Sequence, residues 1–172
     1  PLTQINISNV KNLQLAWSYS SGGADTVNQT TQIQCNPIII QGIMYGVSAG
    51  SQAFAIDAKS GREIWKTNIQ EKTPSMNSRG VAFYSSPGQR SKIFFGYGSY
   101  LFALDAKTGK PVEAFGIKGK INLLEGLKRP GADDYTVLNT PISIYKNTLI
   151  VGTRVSESAP ALLGDIRAFD AT

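Results

Sequence analysis

The chain of 172 residues contains no histidine and a single cysteine, Cys35. Without histidine there is no Ser-His-Asp triad, no imidazole general base and no His-based transition-metal site. A lone cysteine excludes an internal disulfide and a cysteine zinc site, and the residue is expected as a small buried apolar group rather than a reactive thiol. Chemistry is therefore left to carboxylates, lysine, a hard cation or an organic cofactor. The 17 basic residues against 12 acidic ones give a net charge of +5. They are scattered rather than blocked, so no nucleic-acid partner is expected. A composition 41% hydrophobic and 17% charged is that of one globular domain. No apolar run approaches the roughly 20 residues of a membrane span. With no initiator Met and no basic-then-apolar leader, any targeting peptide is expected to have been removed.

What positions such groups is a repeat. Residues 51–67, SQAFAIDAKSGREIWKT, read as strand, tight turn and strand. Residues 99–115, SYLFALDAKTGKPVEAF, repeat the pattern, and residues 164–172, GDIRAFDAT, begin it a third time. Its ending is written upstream in residues 12–19, NLQLAWSY. Gly61 and Gly109 supply the backbone freedom of the turn. Asp57 and Asp105 stand 48 residues apart, as do Trp17 and Trp65, whereas Asp105 and Asp170 stand 65 apart because one unit carries an insertion. Units of about 40–50 residues built from short strands are the size of a propeller blade. Helical repeats would need apolar residues at i, i+3, i+4 and i+7 over ten or more positions, and no such run occurs.

The expected fold is therefore all-β, with about three four-stranded antiparallel blades of a β-propeller. They fall near residues 31–70, 77–117 and 136–172, with a lead-in strand in 1–19 and an insertion over 116–134 that includes a helical turn near 123–127. Hairpins are expected at Gln41-Gly42, around Pro87-Gly88 and at Lys146-Asn147. The third motif breaks off inside its turn, so the chain is expected to be a piece of a longer protein. Two blade faces of such an open arc would be uncovered, and self-association through them is expected. Trp65 is expected between neighbouring sheets.

At the pattern AxDxxTGxxxW, carried by Ala55, Asp57, Ser60, Gly61 and Trp65 with Ser for Thr, the chain resembles the tryptophan-docking motif of quinoprotein dehydrogenases. Ala103, Asp105, Thr108 and Gly109 make a second copy, with Glu113 where Trp is expected and Phe115 as its substitute. Over all 172 residues the sequence is similar to the N-terminal part of the pyrroloquinoline quinone (PQQ) dependent alcohol and glucose dehydrogenases. The resemblance implies an eight-bladed periplasmic propeller that binds PQQ and calcium at its centre. It oxidises an alcohol or sugar and passes electrons to a quinone or cytochrome.

The resemblance also carries site residues. Arg79 lies in NSRGVAFY, similar to the segment NRGLAYW, whose arginine contacts PQQ carboxylates; a planar guanidinium suits a carboxylate by donating two parallel hydrogen bonds. Gln34 in QIQCNP occupies the place of a PQQ-contacting Glu, retaining hydrogen-bonding capacity without the charge. Residues 152–157, GTRVSE, are similar to a GSxGAE loop, which makes Thr153 a cofactor contact and Glu157 a calcium ligand, calcium preferring carboxylate oxygens. Arg154 and Val155 replace small residues of that loop. Thr140 is a further quinone contact. The vicinal disulfide of some relatives is replaced by Thr73 and Pro74. No catalytic residue is assigned; the base is expected beyond Thr172, so the chain alone is expected to be inactive. The competing expectation is a non-catalytic propeller like the lipoproteins that aid outer-membrane assembly. Arg79 and Glu157 discriminate, because a scaffold needs neither.

Overall fold

Alternation with a period of two residues dictates which face each strand side chain meets, and the middle of this chain is apolar on both faces. The computed structural model describes residues 3–28, 31–69, 77–127 and 132–172. The first antiparallel sheet comprises β1 (Ile38–Ile40), β2 (Ile43–Val47), β3 (Gln52–Asp57) and β4 (Glu63–Asn68), in that spatial order. The second comprises β5 (Ala82–Tyr84), β6 (Lys92–Tyr97), β7 (Tyr100–Asp105) and β8 (Lys120–Asn122), again in sequence order. After β9 (Thr136–Val137) come β10 (Ser143–Tyr145), β11 (Thr148–Gly152), β12 (Arg154–Val155) and β13 (Ile166–Asp170). Strands β10, β11 and β13 form a third, three-stranded sheet, while β9 and β12 pair separately. Among the described residues helix is confined to two single 3-10 turns, Val10–Asn12 and Ala49–Ser51. The segment expected as a helical turn near 123–127 is a non-helical turn.

The sheets stack face to face, and the second is covered on both sides. Ile93, Phe95, Phe102 and Leu104 join Tyr45, Ala53, Ala55 and Trp65 in one buried cluster. Their neighbours Phe94, Leu101 and Ala103 join Leu138, Leu149, Val151 and Ala171 in another. This explains why β6 reads KIFFGY, apolar without alternation and buried throughout. The outer face of the first sheet is partly covered by the lead-in segment: the Tyr19 and Phe54 rings lie 5.2 Å apart, and the Tyr19 hydroxyl donates to Glu63 Oε2 at 2.6 Å. The outer face of the third sheet exposes Tyr145, Ile150 and Ile166.

Two further expectations are corrected. The fourth strand of the second sheet is not in residues 111–115 but at β8, inside the segment read as an insertion. Val112 N still donates to the Ala103 carbonyl at 3.0 Å, but the chain then loops out and returns, so that Gly119 O accepts from Ala103 N at 2.9 Å. Glu113 therefore sits on the exposed loop instead of at the tryptophan position, and Phe115 folds back into the core, 5.2 Å from Phe94. Residues 13–19, expected as a strand, run alongside the first sheet without joining a ladder.

The docking motif is visible atom by atom. Asp57 Oδ1 accepts from Lys59 N, Ser60 N and Ser60 Oγ at 3.1, 2.8 and 2.7 Å. Asp105 Oδ1 accepts from Lys107 N, Thr108 N and Thr108 Oγ1 at 3.1, 2.8 and 2.8 Å. Serine thus serves as well as threonine, because the turn needs only the hydroxyl. Gly61 and Gly109 follow at φ of 72° and 70°, and an indole lies flat on each: a Cβ would stand 2.8 Å from the Trp17 ring and 2.5 Å from the Trp65 ring. Hydrogen bonds from the Ser60 side chain, then its amide, hold the Asp57 carboxyl below its ordinary value. A depressed carboxyl pKa contributes stability that is complete above the unfolded value and is lost as pH falls through the folded one. Asp57→Asn is therefore expected to lower the urea midpoint at neutral pH, with the gap to wild type closing below about pH 4. A gap that stays constant with pH would contradict this role.

Candidate functional site

The first strand of each sheet is entered through a short extended segment, and these three segments lie side by side. Ile40 pairs with Ile43, Tyr84 with Lys92 and Tyr145 with Thr148. Counting back equally from these hairpin ends makes Cys35, Arg79 and Thr140 equivalent positions. The backbone stitches them: Asn36 N donates to the Arg79 carbonyl at 2.9 Å, and Arg79 N donates to the Asn139 carbonyl at 2.9 Å. Asn36 and Gly80 form a parallel bridge. Gly80 permits this approach, since a Cβ there would lie 3.1 Å from the Pro141 ring. Propeller blades are arranged radially around a central channel; the strip at which these first strands converge is termed the axial strip.

Three of the sequence-expected residues meet on that strip. Arg79 is exposed, and among the described residues its guanidinium has no ion pair or hydrogen bond. Gln34 is exposed beside it in the order of segments, its Nε2 donating to Gln32 Oε1 at 3.0 Å. Thr140 Oγ1 donates to the Gly152 carbonyl at 3.0 Å, tying the strip to the start of residues 152–157. The next residue, Thr153, is half-buried, and its hydroxyl is buried with no hydrogen-bond partner among the described residues. An orphaned buried hydroxyl costs stability unless something completes it. A free guanidinium, an amide and an unpaired hydroxyl reached through one hydrogen-bonded strip suit a planar ligand bearing carboxylates and carbonyls.

Glu157 is placed differently. β12 pairs with β9 through Arg154↔Val137 and Val155↔Thr136. This antiparallel register carries Thr153 toward Leu138–Thr140 and Glu157 the other way, toward residues 133–135. There a shallow depression of about 280 Å³ is lined by Asp133, Tyr135 and residues 154–157. The exposed Glu157 carboxylate is paired with Arg154 Nη2 at 3.1 Å. Among the described residues no group of three or more acidic or cysteine side chains is arranged to hold a metal. Asp133 and Glu157 are the carboxylates that border this depression, and that of Glu157 is already engaged by Arg154.

Cys35 is half-buried, and its Sγ accepts from Val47 N at 3.3 Å. Burial raises its thiol pKa above the ordinary value, which keeps it an unreactive packing group. Thr73 and Pro74 lie outside the described residues. Sequence reasoning missed Asn36 and Asn139, which act through backbone atoms and so leave no side-chain signal. It also missed Thr136, whose hydroxyl, like that of Thr153, is buried without a partner.

Stacked antiparallel sheets, the first two four-stranded and joined by the docked Trp65 indole, with the first strands of all three converging on one strip, define a β-propeller segment. The family model "Glucose/ethanol/alcohol dehydrogenase, beta-propeller domain" of the PQQ group matches residues 1–172, and the chain belongs to that family. It is 33% identical to the quinohemoprotein alcohol dehydrogenase of Comamonas testosteroni over 99% of this chain and 22% of that protein. The crystal structure of that enzyme superposes with a TM-score of 0.76 at 30% identity, over 99% of this chain and 23% of the other. BamB from Moraxella catarrhalis matches with a TM-score of 0.53 at 18% identity, over 83% of this chain and 38% of its own, which shows the shared fold alone. The chain spans about a quarter of the length of the curated dehydrogenases it matches.

Proposed function

We propose that this segment supplies one wall of the cofactor site in a PQQ-dependent dehydrogenase that oxidises an alcohol or a sugar. The observation that carries the reading is the Arg79 strip: a backbone held at both ends by neighbouring segments, presenting a guanidinium without a partner beside Thr140 and the unpaired Thr153 hydroxyl. Bound PQQ supplies the two-electron acceptor chemistry. Arg79 would hold a carboxylate by two parallel hydrogen bonds, Gln34 would add an amide donor, Thr153 would donate its unpaired hydroxyl to a remaining oxygen, and Thr140 would do so on releasing the Gly152 carbonyl. Glu157 would provide one calcium oxygen on leaving Arg154, with the other ligands and the base coming from outside these residues. A periplasmic location, a quinone or cytochrome acceptor, and contact with further blades or a second copy through the exposed third sheet belong to the same proposal.

The test uses a polypeptide carrying this segment with the rest of the propeller length of its relatives. A charge-assisted bidentate contact contributes about 1.5–3 kcal/mol, so Arg79→Ala is expected to weaken PQQ retention roughly 10- to 100-fold. Its thermal midpoint should stay at the wild-type value, because the Arg79 side chain is exposed. PQQ is measured by absorbance after gel filtration and denaturation. Glu157→Gln should raise the calcium needed for activity while leaving PQQ content unchanged. The 172-residue chain by itself should give no dye-linked turnover above a no-protein control. Wild-type PQQ content and activity in both variants would overturn the reading in favour of the non-catalytic scaffold.

A further inference from the structure

The docking contacts on the three sheets use carbonyls at equivalent places. Ala58, Ala106 and Ala171 each follow a turn aspartate. Trp17 Nε1 donates to the Ala58 carbonyl at 3.2 Å and Trp65 Nε1 donates to the Ala106 carbonyl at 3.0 Å. At the third place the donor is an ammonium: Lys92 Nζ donates to the Ala171 carbonyl at 2.8 Å and also reaches the backbone oxygen of Thr172. Lys92 is 5% exposed. Its counterparts on the other sheets, which likewise pair with the turn aspartate, are Ile43 and Thr148. A lysine is costly at such a buried site unless its head finds acceptors. Here it finds the two backbone oxygens and the Tyr84 ring, whose centroid lies 5.7 Å away.

Tyr84 completes the joint. Its hydroxyl donates to Asn147 Oδ1 at 2.9 Å, and the carbonyl of Asn147 accepts from Ala171 N at 2.8 Å. Lys92 and Tyr84, paired across β5 and β6, thus grip both sides of one turn on the third sheet. The ring volume that an indole would bring comes from Phe115, which is buried in the same cluster as Ala171.

We infer that Lys92 is the docking residue between the second and third sheets, dividing with Phe115 the donation and the packing that a single tryptophan performs at the other two joints. The inference is independent of cofactor binding. Arg79 N and the Asn139 carbonyl link the same two sheets near the axial strip, and Lys92 links them at the hairpin end.

The experiment is amide hydrogen exchange, resolved by residue, on the whole chain. Lys92→Met keeps the length and apolar stem and removes the donors. It leaves the Ala171 carbonyl unsatisfied, so the Ala171 amide should exchange at least about tenfold faster, equivalent to roughly 1.4 kcal/mol of lost protection. The Ala58 amide, at the Trp17 joint, should exchange at the wild-type rate. Lys92→Arg retains donors and should keep Ala171 protected. Should Lys92→Met fail to fold while Lys92→Arg folds with Ala171 protected, the assignment stands. Ala171 exchange within twofold of wild type in Lys92→Met, equal acceleration at Ala58, or failure of both variants to fold would overturn it.

Discussion

Trp65→Ala is expected to destabilise the chain by about 3–5 kcal/mol, the range for removing a large buried aromatic side chain. The indole is 9% exposed and belongs to the cluster between the first two sheets. Its centroid lies 6.1 Å from that of Tyr45, and its ring covers Gly109. Two further losses add to the cavity. The Ala106 carbonyl loses its 3.0 Å donor, and the bare glycine turn is opened to water. The facing residues Ala53 and Ala55 are too small to move in and fill the space, so relaxation recovers little. Trp65→Phe separates the terms, since it keeps much of the volume and forfeits the N–H. It should cost about 1 kcal/mol for the hydrogen bond plus a smaller cavity. Urea denaturation measures both. A Trp65→Ala loss below about 1 kcal/mol would mean that the indole is not the joint between these sheets.

Gly96→Ala is expected to be comparably severe for the opposite reason, overpacking. Gly96 lies within β6, and a Cβ added there would stand 2.2 Å from the Leu138 carbonyl oxygen and 2.3 Å from its side chain. The first of these is backbone and cannot rotate away. Overpacking of this kind costs typically 1–3 kcal/mol, and this site lies at the upper end because the Leu138 amide is also anchored to the Gly98 carbonyl at 2.8 Å. Relief requires residue 138 to retreat from the second sheet, which draws Asn139 off the Arg79 amide it accepts from. The variant should therefore lose stability and also expose the Arg79 amide to faster hydrogen exchange. Wild-type stability together with an unchanged Arg79 exchange rate would show that the two sheets do not meet as closely as described.

Much of the architecture was legible in the sequence because it is encoded locally. An aspartate, a hydroxyl three residues on and a glycine after it form the turn by short-range hydrogen bonds and a positive φ, and the tryptophan four residues later docks on the turn of the next unit. That pattern survives in any register of the surrounding chain. The 48-residue spacing then implied blades. Arg79, Gln34 and Thr140 could be singled out because their segments resemble others, although nothing in their own chemistry distinguishes them from surface residues.

What the sequence could not show depends on contacts between distant segments. Counting along the chain put Glu113 at the docking position, yet the loop after Val112 moves it to the surface. The ring that enters the core is Phe115, and the donor that replaces the indole is Lys92. No local signal marks that lysine, because its acceptor lies 79 residues away. The same holds for the axial strip, where main-chain bonds of Asn36, Arg79 and Asn139 align three segments regardless of side-chain identity. Likewise, the antiparallel register of β9 and β12 carries Thr153 toward that strip and Glu157 away from it, though the two are four residues apart in the sequence. Short-range hydrogen bonding therefore determined the repeating unit from sequence alone. Long-range pairing, which only the folded chain can specify, decided which side chains share a site.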